Sequence, residues 1–281
     1  MDTHIDIRPS PIAGQWYEGD ARRLGDRVDR YLEAAGQQMI EGEIIAIMVP
    51  HAGHMYSGPV AGYAFSALRG LTPELVAVVS PMHYPYYQAL LTSAHTHYAT
   101  PLGQIRVDRE AVKTLDEQLQ AELGKGLAYI KNDREHSLEI ELPFLQRSLK
   151  SAFELLPVMV LEQTVQVAQA LGSALAKTLA GRQALLVAST DLSHFYDQDT
   201  ANMLDAEVLR CVEACDPEGV IQVEEDGKGF ACGRGALAAV MWAAKELGAN
   251  HVQVLHHATS GDVTGDFDRV VGYGAAVFTK K

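Results

Sequence analysis

Long apolar runs are missing from this sequence: no stretch of its 281 residues approaches the roughly 18 apolar residues that a membrane span needs. Cysteine is almost as scarce. Cys211, Cys215 and Cys232 are the only three, an odd number that makes no disulfide framework and suits a reducing cytoplasm. Basic residues are outnumbered, 23 Lys and Arg against 36 Asp and Glu, for a formal net charge of −13. So acidic a chain repels phosphate backbones and anionic lipid heads, which argues against nucleic-acid and membrane partners. Met1 to Pro11 carries Asp2 and Asp6 and no apolar stretch, unlike a secretory signal. Repeats, low-complexity tracts and linker-like segments are lacking, so residues 1–281 read as a single domain. P-loop, HExxH and GxSxG motifs are absent too. Gly227 to Gly233 has the wrong spacing for a dinucleotide fingerprint, and no strand precedes it. A soluble cytoplasmic protein is the expectation.

What is present alternates. Short β-branched runs at 44–49, 75–79, 88–92, 155–160, 184–188, 251–256 and 270–278 read as strands covered on both faces. Longer helical patterns lie at 21–39, 59–68, 108–122, 164–179, 201–214 and 236–247, with Gly25, Gly36 and Gly172 unfavourable inside them. Thr100-Pro101-Leu102-Gly103 has the composition of a turn. The alternation predicts an α/β fold, a mostly parallel or mixed central sheet flanked by helices.

Three of these strands run into histidine. Residues 44–49 lead to Pro50-His51-Ala52-Gly53-His54, 75–79 to Ser80-Pro81-Met82-His83, and 184–188 to Asp191-Leu192-Ser193-His194. Ligands of open α/β sheets bind beyond the carboxyl ends of the strands, so His51, His83 and His194 are candidates to meet in one pocket. Pro50 and Pro81 end their ladders and fix the exit direction. Gly53 and Gly58 permit either a tight turn or a close approach to a ligand. Cys232 stands just before a helix and beside Arg234, where dipole and charge favour a thiolate. The alternative is a small buried hydrophobe, which fits Cys211 and Cys215 better. Asn132 to Glu139 is unusually polar. Within it Asn132 or Ser137 can cap the helix carrying Leu138, Leu142, Leu145 and Leu149, which kinks at Pro143 or starts just before it. Glu135 and His136 can instead sit at the pocket rim as a proton-transfer pair or as support for ligands. Asp191 can cap a helix or orient His194. His95, His97, His256 and His257 read as surface or core positions, and His4 as part of the terminal segment.

Taken in order, these segments resemble the Memo family, whose bacterial and archaeal members are called AmmeMemoRadiSam system protein B. The resemblance rests on Ala13-Gly14-Gln15-Trp16-Tyr17, Pro50-His51-Ala52-Gly53 with Tyr56-Ser57-Gly58, and Pro81-Met82-His83. Thr100-Pro101-Leu102-Gly103, Glu135-His136-Ser137-Leu138-Glu139 with Leu142-Pro143-Phe144, Asp191-Leu192-Ser193-His194 and Cys232-Gly233-Arg234 complete it. It implies a domain similar to class III (LigB-type) extradiol dioxygenases, which use non-haem iron. It also implies a metal pocket of His51, His83 and Cys232, with His194 and Asp191 close by. Ser80 and His54 depart from the family's usual glycine and aromatic, and His54 offers a fourth nitrogen. A thiolate in place of the dioxygenase carboxylate favours Cu(I), or iron of altered redox behaviour, and argues against ring cleavage.

The leading expectation is therefore a mononuclear iron or copper site at His51, His83 and Cys232, with Asp191, His194, His136 and Glu135 orienting ligands or moving protons. It would serve an oxidoreductase or metal-handling protein acting on a small substrate. A non-catalytic adaptor for a peptide or small ligand is the second class. A zinc hydrolase with Glu135 or Asp191 as base is the third. The family association further implies a radical S-adenosylmethionine protein as partner.

Overall fold

A computed structural model of the chain describes residues 5–281; His4 lies outside them. Strand β1 (Ile7–Arg8) is followed by α1 (Ala21–Ala35), β2 (Glu43–Val49), α2 (His54–Ala67), β3 (Leu75–Pro81), β4 (Leu90–Ser93), β5 (His97–Thr100), β6 (Gly103–Arg106), α3 (Arg109–Leu123) and β7 (Ala128–Ile130). A 3-10 turn, Glu139–Glu141, leads into α4 (Leu142–Ser148), β8 (Glu154–Val160), α5 (Val165–Leu179), β9 (Ala184–Ser189) and β10 (His194–Tyr196). The chain closes with α6 (Gln198–Glu213), α7 (Pro217–Glu225), α8 (Arg234–Glu246), β11 (His251–Thr259), α9 (Gly261–Thr264) and β12 (Val270–Lys280).

Among the described residues, nine strands make one mixed sheet in the order β10-β12-β2-β9-β3-β8-β4-β7, with β11 also paired to β12. The central four, β2, β9, β3 and β8, are parallel. Strands β12 and β4 join them antiparallel on either side. Helices α1, α2 and α4 pack together over one face, and α8 lies against β2, β3 and β9 with α5 and α7 behind it. Covered on both sides, β3 is buried at every residue, which is why it reads as an unbroken apolar run rather than an alternating one. The α/β expectation holds. A second, three-stranded sheet, β1-β5-β6, stands beside it.

All seven expected strands and six expected helices are present, with shifted ends. Helix α1 stops at Ala35, short of residue 39, because Gly36 turns the chain at φ 70°. Helix α2 starts at His54, a turn before Pro59; the proline ring costs a single backbone bond near the helix start. Gly53 has an ordinary φ of −53°, so no special turn is needed there. A Cβ at Gly58 would come within 2.5 Å of the Tyr31 ring, so that glycine serves the close approach of α1 and α2 rather than a ligand. Helix α4 begins just before Pro143 without the expected caps. Asn132 instead sits at φ 52°, and the Ser137 hydroxyl donates to the Pro81 carbonyl at 2.9 Å.

Candidate metal centre

Sheet order decides the site. Strand β9 lies between β2 and β3, so the carboxyl ends of three adjacent strands deliver His51, Asp191 and His83, each two residues beyond its strand. The segment from β7 to the 3-10 turn brings Glu135 and His136 over those ends, and the residues just before α8 bring Cys232.

Three imidazoles converge: His51, His83 and His136 each offer a ring nitrogen, all within 4.8 Å of one another. Their ring centroids lie 4.8–5.5 Å apart. Each ring has a polar neighbour beside its Nδ1. The Ser189 hydroxyl lies 2.9 Å from His51 Nδ1. One oxygen of Glu135, Oε1, lies 2.9 Å from His83 Nδ1 and 3.3 Å from His136 Nδ1. A carboxylate only accepts, so the His83 ring faces it through Nδ1–H, which leaves its Nε2 with a bare lone pair. This is the supporting arrangement of metal-ligating histidines.

The charges agree with that role. Burial holds His51 well below the ordinary imidazole range, with His136 and His83 adding to the effect. Burial likewise lowers His136 to about 4, against the opposing pull of the Glu135 charge. Both are neutral near pH 7, as ligands must be. Glu135 goes the other way. Burial alone would raise its carboxyl, but the His83 donors and the charges of His83 and His136 hold it well below the usual carboxylate range. Its oxygens also accept the backbone N–H of His83, His136 and Ser137.

Cys232 Sγ lies 3.1 Å from His51 Nε2 and takes the Asp191 backbone N–H at 3.3 Å. Its backbone is pinned from Gln163 Nε2, which donates to the Cys232 carbonyl at 2.8 Å. The expected thiolate is not what the surroundings favour. Burial and the Asp191 charge push the thiol well above its ordinary range, and Arg234 pairs with Glu224 at 2.9 Å instead. Asp191 orients His51 rather than His194: the His51 backbone N–H donates to its Oδ1 at 2.7 Å. Burial raises the Asp191 carboxyl to about 7, against the pull of the His51 and Ala52 N–H groups.

His194 stands outside the three-imidazole group, its Nδ1–H donating to the Leu192 carbonyl at 2.7 Å. Nor does His54 add a fourth nitrogen. Its Nε2–H donates to the Ile140 carbonyl at 2.9 Å, and its ring packs against Tyr17 and Phe144. His95 pairs with Asp6 and His257 with Asp205, and neither belongs to the three-imidazole group.

A model of the family described as "Memo-like protein" matches residues 8–277. The chain belongs to the Memo family. A MEMO1 family protein of Nitrosopumilus maritimus is 35% identical over 97% of this chain and 99% of its own length. One from Pyrobaculum aerophilum is 32% identical over the same shares. Among solved structures, the uncharacterized protein JW3007 from Escherichia coli K12 overlaps 84% of this chain and 100% of its own, at 13% identity and a TM-score of 0.47. Among the described residues no helix is long and apolar enough to cross a membrane.

The Memo-family segments named from the sequence now have places in the structure. Trp16 lies against the His136 ring, centroids 4.1 Å apart, and the Tyr17 hydroxyl donates to Glu139 at 2.7 Å. Thr100 to Gly103 turns the β5–β6 hairpin. Sequence reasoning missed Arg8, which is buried on β1. It pairs with Asp133 at 2.7 Å and with Glu139, and it donates to the Glu135 carbonyl at 2.7 Å. Arg8 thereby fixes the segment that carries Glu135 and His136. Its only signal was an arginine in a segment otherwise without a motif. Ser189 and Glu141 were missed too. A serine at a strand end and a glutamate among leucines stand out only when the sheet brings them together.

Proposed function

We propose that this Memo-family chain holds one redox metal ion, iron or copper, at His51, His83 and His136, with Cys232 as a further ligand through His51's side of the site. The observation that carries the reading is the convergence of three imidazole nitrogens within one ion's reach, with His51 and His83 each contacted at Nδ1. Imidazole suits iron, copper and zinc alike, and an added thiolate softens the set toward copper(I). The bound metal would supply one-electron chemistry to a small substrate, or be the cargo itself in a metal-handling role.

The protein's own residues have distinct parts. Glu135 and Ser189 orient the imidazoles and keep Nε2 free. Glu135 accepts from too many donors to act as a base, which weakens the zinc-hydrolase alternative. Asp191, with a pKa near 7 and 4.0 Å from His51 Nε2, is the group able to take and return a proton near neutral pH. His194 offers a second proton site through its Nε2, which has no partner among the described residues. Cys232 must lose its proton to ligate, so metal uptake through it releases one. The free cysteines fit a cytoplasmic setting.

Elemental analysis of protein purified without oxygen or chelators tests this, beside His51→Ala, His83→Ala, His136→Ala and Cys232→Ala variants. About one iron or copper per chain, lost in all three histidine variants, supports the reading. Retention in Cys232→Ala would leave three imidazoles as the complete set. Zinc in its place would favour the hydrolase. A protein that carries no metal and refuses added metal would leave a peptide- or ligand-binding adaptor.

A further inference from the structure

Ser189 has one proton and three polar neighbours. Its Oγ lies 2.6 Å from the Ser137 carbonyl, 2.9 Å from Glu141 Oε1 and 2.9 Å from His51 Nδ1. The residue is fully buried, so water supplies nothing. A carbonyl oxygen only accepts, and 2.6 Å is too close for two oxygens without a proton between them. The Ser189 proton therefore goes to Ser137. Glu141 and His51 Nδ1 must then both donate, filling the two lone pairs of the hydroxyl.

We infer that Glu141 is a positioning residue held as a neutral carboxylic acid, which through Ser189 locks His51 in the Nδ1–H tautomer and leaves its Nε2 free for the metal. This rests on the proposed metal reading for its purpose but not for its geometry. Two further observations agree. Glu141 is 1% exposed, and among the described residues it forms no ion pair, a setting in which a carboxylate is costly. Burial also pushes its carboxyl well above the ordinary range.

The test uses metal-free full-length protein with labelled histidine and glutamate. Long-range 1H–15N correlation reads the His51 tautomer, and infrared difference spectra between the wild type and Glu141→Gln read the acid. The expected result is Nδ1–H on His51 in the wild type and a protonated carboxyl band that disappears in Glu141→Gln. Glu141→Gln, whose amide still donates to Ser189, should keep the tautomer and the iron or copper affinity. Glu141→Leu and Ser189→Ala should mix the tautomers and weaken that affinity about tenfold or more.

An ionised Glu141, an Nε2–H His51, or a Glu141→Gln variant that behaves like Glu141→Leu would each overturn the inference. The infrared and Glu141→Gln readings hold even if Glu141→Leu fails to fold. Because the tautomer is read without metal, a protein with the expected tautomer that binds neither iron nor copper would sink the metal reading alone.

Discussion

His83 and Glu135 are joined twice. The His83 backbone N–H donates to Glu135 Oε2 at 2.6 Å, and its ring Nδ1–H donates to Oε1 at 2.9 Å. Backbone and ring of one residue are thus fixed by the two oxygens of another, and the ring cannot turn without breaking from the carboxylate. Glu135→Gln removes the charge and places an amide N–H2 against one of these donors. The expected result is a loss of iron or copper affinity of about 10–100-fold with the fold intact. Competition against a chromophoric chelator measures it, and an unchanged affinity would mean the rings are oriented by other contacts.

Arg8 gathers two buried carboxylates and a carbonyl. Arg8→Met leaves Asp133 and Glu139 buried without their cation, which should cost about 3–5 kcal/mol in urea unfolding. Arg8→Lys should recover only part of it, since one ammonium cannot reproduce the forked contacts of a guanidinium. Full stability in Arg8→Met would count against the clamp.

Stability should carry a pH signature from His54. Burial lowers its folded pKa to about 4, whereas an unfolded imidazole titrates near 6.5. Between those values the unfolded chain binds the proton and the folded one does not, so stability falls as pH falls. The loss starts near pH 6.5 and is complete below about pH 4, roughly 3 kcal/mol in all. His54→Gln keeps a donor for the Ile140 carbonyl and does not titrate. Its unfolding free energy should vary less with pH than the wild type's across that window, and parallel curves would exclude His54 as the source.

Gly172 opposes two effects in one substitution. Alanine is favoured over glycine in a helix interior by up to about 1 kcal/mol. A Cβ at Gly172, however, would lie 2.5 Å from Trp242 Cβ and 2.8 Å from the Ala239 carbonyl on α8. Backbone cannot yield cheaply, so Gly172→Ala should destabilise by about 1–3 kcal/mol, read as a lower melting temperature. A rise instead would show that α5 and α8 have room between them.

The sheet was legible because its inner strands are covered on both faces and announce themselves as apolar runs, β3 and β8 most clearly; β11, expected to be covered too, is largely half-buried because it pairs only with β12. Strand-end placement likewise brought His51 and His83 forward. The short strands β1, β5, β6, β7 and β10 were not foreseen, since two to four residues carry no measurable period. His136 was read as support or proton donor, whereas its ring joins His51 and His83. Only the folded path of residues 131–138 shows that. His194, which shares the strand-end pattern, turns its Nδ1 to Leu192 instead. The roles of Arg8, Ser189 and Glu141 arise from tertiary neighbours 48 to 138 positions away along the chain, beyond the reach of any local motif.

The place of β9 between β2 and β3 has a temporal side. A ribosome delivers His51 and His83 early, but the strand that separates them emerges about a hundred residues later. At about 5–20 residues per second, that is a delay of roughly 5–20 s. During it the two histidine-bearing strands lack the neighbour that sets their spacing, and Ser189, Asp191 and Cys232 do not yet exist. On the proposed metal reading, chains that have not yet made β9 lack the assembled site, and loading would wait for that strand.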